Sequence, residues 1–172
     1  MIGDTVRDYI KELNAPFSPG DIEWRVQREV RNGQAVMVIP YVTNRAIMMR
    51  LDQVFGVFGW ENRFTPGASG GILCELRIKN PETGEWVAKQ DGAENTAVEA
   101  IKGGMSSAMK RTAVQLGIGR YLYYLDFQFM PLKDKGKTYH KCKATGRAAY
   151  WDVPSLPNWA LPAQQPTQGE QR

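Results

Sequence analysis

Residues 72–92 read ILCELRIKNPETGEWVAKQDG. Ile72, Cys74, Leu76 and Ile78 alternate with Leu73, Glu75, Arg77 and Lys79, the period of a strand with one face buried. Asn80-Pro81-Glu82-Thr83-Gly84 reads as a turn and EWVAKQDG as the returning strand, so the stretch is a hairpin. Hairpins build antiparallel sheets, which can leave one face wet. With helices on both sides of it in the chain, the expected class is α+β, an antiparallel hairpin sheet with a long helix packed across it.

Upstream, Ile22, Trp24 and Val26 alternate with charged residues, and Val36 and Val38 follow Asn32-Gly33. Asn-Gly between alternating runs predicts a second hairpin closed by a type I′ turn. TVRDYIKEL spaces Val6, Ile10 and Leu13 as a short helix behind Asp4 or Thr5, stopped by Pro16 and Pro19. TNRAIMMRLDQVFG predicts a second helix, with Thr43 or Asn44 as its cap and Gly56 as its end. Trp24, Trp60 and Trp86 fall in strand patterns and are expected as core or subunit contacts.

Downstream, Val98, Ile101, Met105, Met109, Thr112 or Ala113, and Leu116 keep the three-and-four spacing of a long helix from about Asn95, with Ile101, Met105, Met109 and Leu116 as its buried stripe. Gly103, Ser107, Lys110 and Gly117 fall on another face, with Gly104, Arg111 and Gln115 beside them. Two helical glycines cost about 1 kcal/mol each relative to alanine. Small side chains followed by two cations suit a sugar-phosphate backbone lying on the helix, whereas close helix–sheet or subunit packing is the alternative use of the same glycines.

Charge is uneven. Residues 1–100 carry 11 Lys plus Arg against 14 Asp plus Glu, residues 101–150 carry 10 against 2, and residues 151–172 carry 1 against 2. The basic block is the footprint expected for a polyanion, nucleic acid first. No apolar run could span a bilayer, and MIGDTVRDYIKELN has no secretory pattern, so a cytoplasmic protein without a membrane partner is expected. Cys74 and Cys142 cannot supply a disulfide framework or a four-cysteine metal site, and His140 is the single histidine. Lys102-Gly103-Gly104 lacks the order of a phosphate-binding loop. Asp91, Glu94 and Glu99, near Glu85 and Lys89, are the carboxylates a metal-dependent nuclease would need, and equally fit caps and a strand end. From Pro154 the chain is rich in Pro, Gln and Thr, so the division expected is a domain over 1–150 and a disordered tail over 151–172.

Three stretches together, VTNRAIMMRLDQVFGVFGWENRFT, the 72–92 hairpin and AVEAIKGGMSSAMKRTAVQLGIGRYLY, resemble the core of the Rad52 family of single-strand annealing proteins, particularly the short bacteriophage versions. The likeness covers about residues 15–126. It rests most on Phe55, Gly56, Gly59 and Trp60, and on Lys110-Arg111 followed by Leu116-Gly117.

That resemblance implies rings or helical arcs of protomers that hold single-stranded DNA in an outer basic groove and anneal complementary strands in recombination and double-strand break repair. It implies no catalysis, no ATP, no metal and no other cofactor. Lys110 and Arg111 would contact the DNA backbone, with Arg45, Lys102, Gln115 and Arg120 completing the candidate set. Gln115 stands where the family often has arginine, and Arg120 could replace that cation. Single-stranded DNA, further copies of the chain and a host or phage single-strand binding protein are the partners implied. A module that protects single strands without annealing them is the alternative.

Overall fold

The computed structural model describes residues 4–68, 70–95, 100–143 and 145–163. Helix α1 (Asp4–Asn14) leads into strand β1 (Ile22–Val30), which pairs antiparallel with β2 (Ala35–Val42). Helix α2 (Asn44–Phe55) follows, its first turn held by the Thr43 hydroxyl, which accepts from the Ala46 N–H at 3.1 Å. Strands β3 (Trp60–Pro66), β4 (Ile72–Lys79) and β5 (Trp86–Ala93) form one antiparallel sheet in that order. Helix α3 (Ala100–Gln115) leads through a 3-10 turn at Arg120–Tyr124 to β6 (Gln128–Pro131), β7 (Thr138–Lys141) and β8 (Ala148–Trp151). β6 joins the other side of β2, giving a sheet ordered β1-β2-β6, and β7 and β8 pair as a two-stranded ribbon.

The α+β class and both expected hairpins are present. The Asn-Gly turn is wider than a two-residue type I′ turn: Val30 pairs with Ala35, and Arg31, Asn32 and Gly33 all have positive φ. A bulge between Val26 and Arg28 shifts the register by one and sets that loop length. A helix of 16 residues occupies Ala100–Gln115; the predicted position Val98 and the carboxylate Glu99 lie outside the described residues. So do the side chains of Asp4, Thr5 and Val6, the predicted start of α1.

Of the predicted stripe of α3, Met109 is buried and Met105 and Leu116 are half-buried, but Ile101 is not. Ile101 is 68% exposed, whereas Ala108, Thr112 and Ala113 are fully buried, with Gly104 and Met109 buried beside them. The helix packs on β4 and β5 through its smallest side chains, which is what close helix–sheet approach requires. The Thr112 hydroxyl donates within that seam, to Cys74 O at 3.0 Å or Ala108 O at 2.9 Å. A Cβ on Gly104 would stand 2.9 Å from Asn95 Oδ1 and 3.0 Å from Ile72 Cγ1, so this glycine serves packing. Gly104→Val is expected to cost about 1–3 kcal/mol by overpacking, read as a lower melting temperature; a variant as stable as the parent would contradict this seating.

The main core joins α1, α2, α3 and the β3–β5 sheet around Ile47, Leu51, Leu76 and Ile118. Arg50 pins α1 to α2 by donating to the carbonyls of Glu12 and Ala15 at 2.6 and 2.8 Å, with its guanidinium 4.1 Å from the Phe17 ring centroid. A second core holds Val36, Val38 and Trp151. Part of the segment expected as a tail packs on the domain: Trp151 is 1% exposed in β8, Leu156 packs on the main core and Ala160 is fully buried. Apolar burial, hidden by the flanking prolines, holds that segment. Trp86, expected in the core or at a subunit contact, is 41% exposed in the chain, with the Arg77 guanidinium 5.3 Å from its ring centroid.

Candidate nucleic-acid interface

A groove of about 640 Å³ runs between the β1–β2 hairpin and the outer side of α3. β1 presents Glu23 and Arg25 on the side opposite Trp24, β2 presents Tyr41, and α3 presents Ser107, Lys110 and Arg111. Ile47, Ile118 and Leu122 form an apolar floor. The far wall is the 3-10 turn after α3. It reaches β2 only because Gly119 has φ +71° and no side chain; a Cβ there would meet Val42 Cγ2 at 2.6 Å. The Tyr121 hydroxyl accepts from the Phe17 N–H at 3.0 Å and ties this turn inward, while Tyr123 and Tyr124 are 72% and 74% exposed.

Lys110 is the central cation. Its side chain is only 12% exposed, and its Nζ lies 3.6 Å from Glu23 Oε2 and 5.9 Å from the Tyr41 ring centroid. Burial pulls its pKa below the ordinary lysine value, Arg25 adds to that, and Glu23 opposes it. Arg25 faces it across the groove, 3.4 Å from Glu23 Oε2 and 5.5 Å from the Tyr41 ring centroid. The Glu23 carboxylate thus serves two cations, of which Lys110 is desolvated while Arg25 and Glu23 itself are half-exposed, and Asp126 also lines the groove. A phosphate could take the place of Glu23 beside Lys110. Burial also raises the Tyr41 pKa, with Arg25 opposing, so its hydroxyl stays protonated at neutral pH and able to donate. Chemically the groove offers cations for phosphates and aromatic faces for bases or sugars.

The structure brings Lys110 and Arg111 to this groove and uses the other predicted residues elsewhere. Arg111 lies at the rim, its Nε donating to Asp91 Oδ1 on β5 at 3.1 Å. Gln115 donates to Gln90 O at 2.9 Å, so it fastens the helix to the same strand. Partial burial raises the Asp91 pKa, but the Gly92 N–H donating to Oδ1 at 2.7 Å, Arg111, and Gln115 Nε2 at 3.5 Å from Oδ2 together hold its carboxyl below the usual value. Arg120 donates to the carbonyls of Val114 and Gln115 at 2.9 and 2.8 Å, which caps the C-terminal end of α3. Lys102 lines a separate cavity with Asn44, Phe64 and Met105, and Arg45 is exposed on the first turn of α2. Arg25 and Tyr41 were missed in the sequence. The only signal was that alternation turning Trp24 and Val26 inward leaves Arg25 outward.

Among the described residues no group of His, Cys, Asp or Glu could hold a metal ion, and no helix is long and apolar enough to cross a membrane. The family profile described as Rad52/22 family double-strand break repair protein matches residues 5–67 and 74–141. The chain is 31% identical over 167 residues to the single-stranded DNA-binding protein DdrA of Deinococcus radiodurans, covering 94% of this chain and 72% of that protein. It is 28% identical to the single-stranded DNA-binding protein DdrA of Deinococcus deserti, covering 94% of this chain and 74% of that one.

Proposed function

The chain belongs to the Rad52/22 family of double-strand break repair proteins, and from that premise we propose that it binds single-stranded DNA in the groove between the β1–β2 hairpin and α3 and anneals complementary strands. The observation that carries the reading is the Lys110 ammonium, desolvated beside Arg25 with one shared carboxylate and flanked by Tyr41 and Tyr123. Phosphates bound there fix the strand without using its base edges, which stay available for a complement. Such a reaction makes and breaks no covalent bond and needs neither nucleotide nor metal. Ring or arc assembly belongs to the same proposal. β1, β3, β5 and β6 are edge strands of their sheets, and repetition of the chain would cover such edges and make the groove continuous between protomers.

The test mixes complementary labelled strands in EDTA without nucleotide. Duplex formation faster than the spontaneous rate is expected. A second reading, protection without annealing, is favoured by the printed names of the relatives, which state single-stranded DNA binding alone. It predicts bound strands that pair more slowly than naked ones.

A further inference from the structure

The β7–β8 ribbon lies outside the groove, and its two faces differ sharply. From Lys137 to Lys143 the exposed positions are Lys137, Tyr139, Lys141 and Lys143, while Thr138 and His140 are half-buried and Cys142 is buried. The inner face is anchored by Glu29 of β1. Its Oε1 lies 2.9 Å from His140 Nε2, and its Oε2 accepts from Cys142 Sγ at 3.3 Å. The Lys143 N–H also donates to Glu29, and Lys133 and Tyr150 exchange backbone hydrogen bonds at 2.8 and 2.9 Å. The ribbon is therefore held in place.

Its outer face is a row of cations with an aromatic among them. Tyr139 is 58% exposed and sits edge-on to its cross-strand partner Tyr150, with ring centroids 5.8 Å apart. The nearby carboxylates are engaged at the ribbon's borders. Asp152 takes Lys133 at 2.8 Å, and Asp134 takes Arg147 at 2.8 Å. Among the described residues no ion pair holds Lys135, Lys141 or Lys143. Within β7 the alternate residues Tyr139 and Lys141 stand ~6.8 Å apart on one face, with the exposed Lys137 just before the strand and the exposed Lys143 in the turn just after it, a layout suited to an extended single strand.

We propose that the outer face of this ribbon, Lys137, Tyr139, Lys141 and Lys143, is a second contact site for single-stranded nucleic acid, with the lysines on phosphates and Tyr139 stacked on a base. It rests on the reading of the chain as a single-strand binder and adds a site apart from the groove. Cations alone would serve any polyanion. The rigid exposed tyrosine among them favours a strand with unpaired bases, because stacking needs a free base face.

The test measures binding of a labelled single strand by the full chain over a range of salt, for two variants and their combination. Lys137→Ala/Lys141→Ala/Lys143→Ala is expected to reduce the magnitude of the slope of log affinity against log salt by about 2, three contacts at ~0.7 each. The Arg25→Ala/Lys110→Ala variant keeps weakened binding that disappears only in the combination. Lys137→Arg/Lys141→Arg/Lys143→Arg restores the slope, which separates charge from folding if the alanine variant is unstable. Tyr139→Ala weakens binding of single strands and leaves duplex binding as it was. A folded triple-alanine variant with parental affinity and slope overturns the second site and leaves the groove standing. No single-strand binding by the parent chain overturns both. Equal loss of single-strand and duplex binding in Tyr139→Ala overturns the stacking role.

Discussion

Replacing Arg25 and Lys110 together with alanine is expected to weaken single-stranded DNA binding about a hundredfold at moderate salt. Hydrogen bonds to charged groups contribute roughly 1.5–3 kcal/mol each, and about 1.4 kcal/mol is a factor of ten. Two lost contacts at the low end of that range therefore give about two decades. The slope of log affinity against log salt should fall in magnitude by about 1.4, two phosphate contacts at ~0.7 for a single strand. Loss should be uniform across sequences, because backbone contacts carry no base information. The fold should survive. Lys110 is held at a desolvation cost that alanine removes, and the Glu23 carboxylate left behind has a side chain 50% exposed and remains in water. Arg111→Ala should have a smaller effect on binding, since its guanidinium is shared with Asp91. An assembled, folded double variant with parental affinity and slope would remove the groove from the account.

Trp151→Ala is expected to give the largest loss of stability, about 3–5 kcal/mol, the usual cost of emptying a buried aromatic site. For a chain of this size that is a fall in melting temperature of about 10 °C. The reason is position. Trp151 is 1% exposed in one core cluster with Val36 and Val38 of β2, and it gives the apolar part of the join between the ribbon and the β1-β2-β6 sheet, beside the polar contacts of Glu29. Its Nε1 is buried with no hydrogen-bond partner, so Trp151→Phe, which removes that donor and keeps a ring, should lose far less. The same packing separates two truncations. Removing residues 164–172 deletes none of the described contacts, whereas removing 154–172 takes away Leu156 and Ala160 and should lower stability. Equal melting temperatures for Trp151→Ala and the parent would mean that the second core contributes nothing.

The difference between what was legible and what was not follows from the range of the forces involved. The 72–92 hairpin and α2 are written in local periods, a turn and a cap, and each formed where its own residues placed it. β7 was hidden because its outer face is lysine and tyrosine while its inner face is Thr138, His140 and Cys142, a set without the apolar alternation that marks a strand. What makes it a strand is Glu29, far away in the chain, and the pairing with β8. The buried stripe of α3 keeps Met109 but takes Gly104 and Ala108 in place of Ile101 for a related reason. Hydrophobicity ranks Ile101 above Gly104 and Ala108, but the closeness of helix and sheet selects by size. At the candidate site, Lys110 and Arg111 stood out as adjacent cations in a basic block. Arg25 and Tyr41 gained their meaning only when the β1–β2 hairpin was laid beside α3.

Photocrosslinking tests the groove most directly. A single strand carrying 5-iodouracil at successive positions is bound to the full chain, irradiated, and the joined peptides are identified by mass spectrometry. Crosslinks to Tyr41 and Tyr123, lost in the Arg25→Ala/Lys110→Ala variant, are the result expected. Crosslinks confined to the β3–β5 sheet, with none on β2 or on the turn after α3, would contradict the placement of the strand.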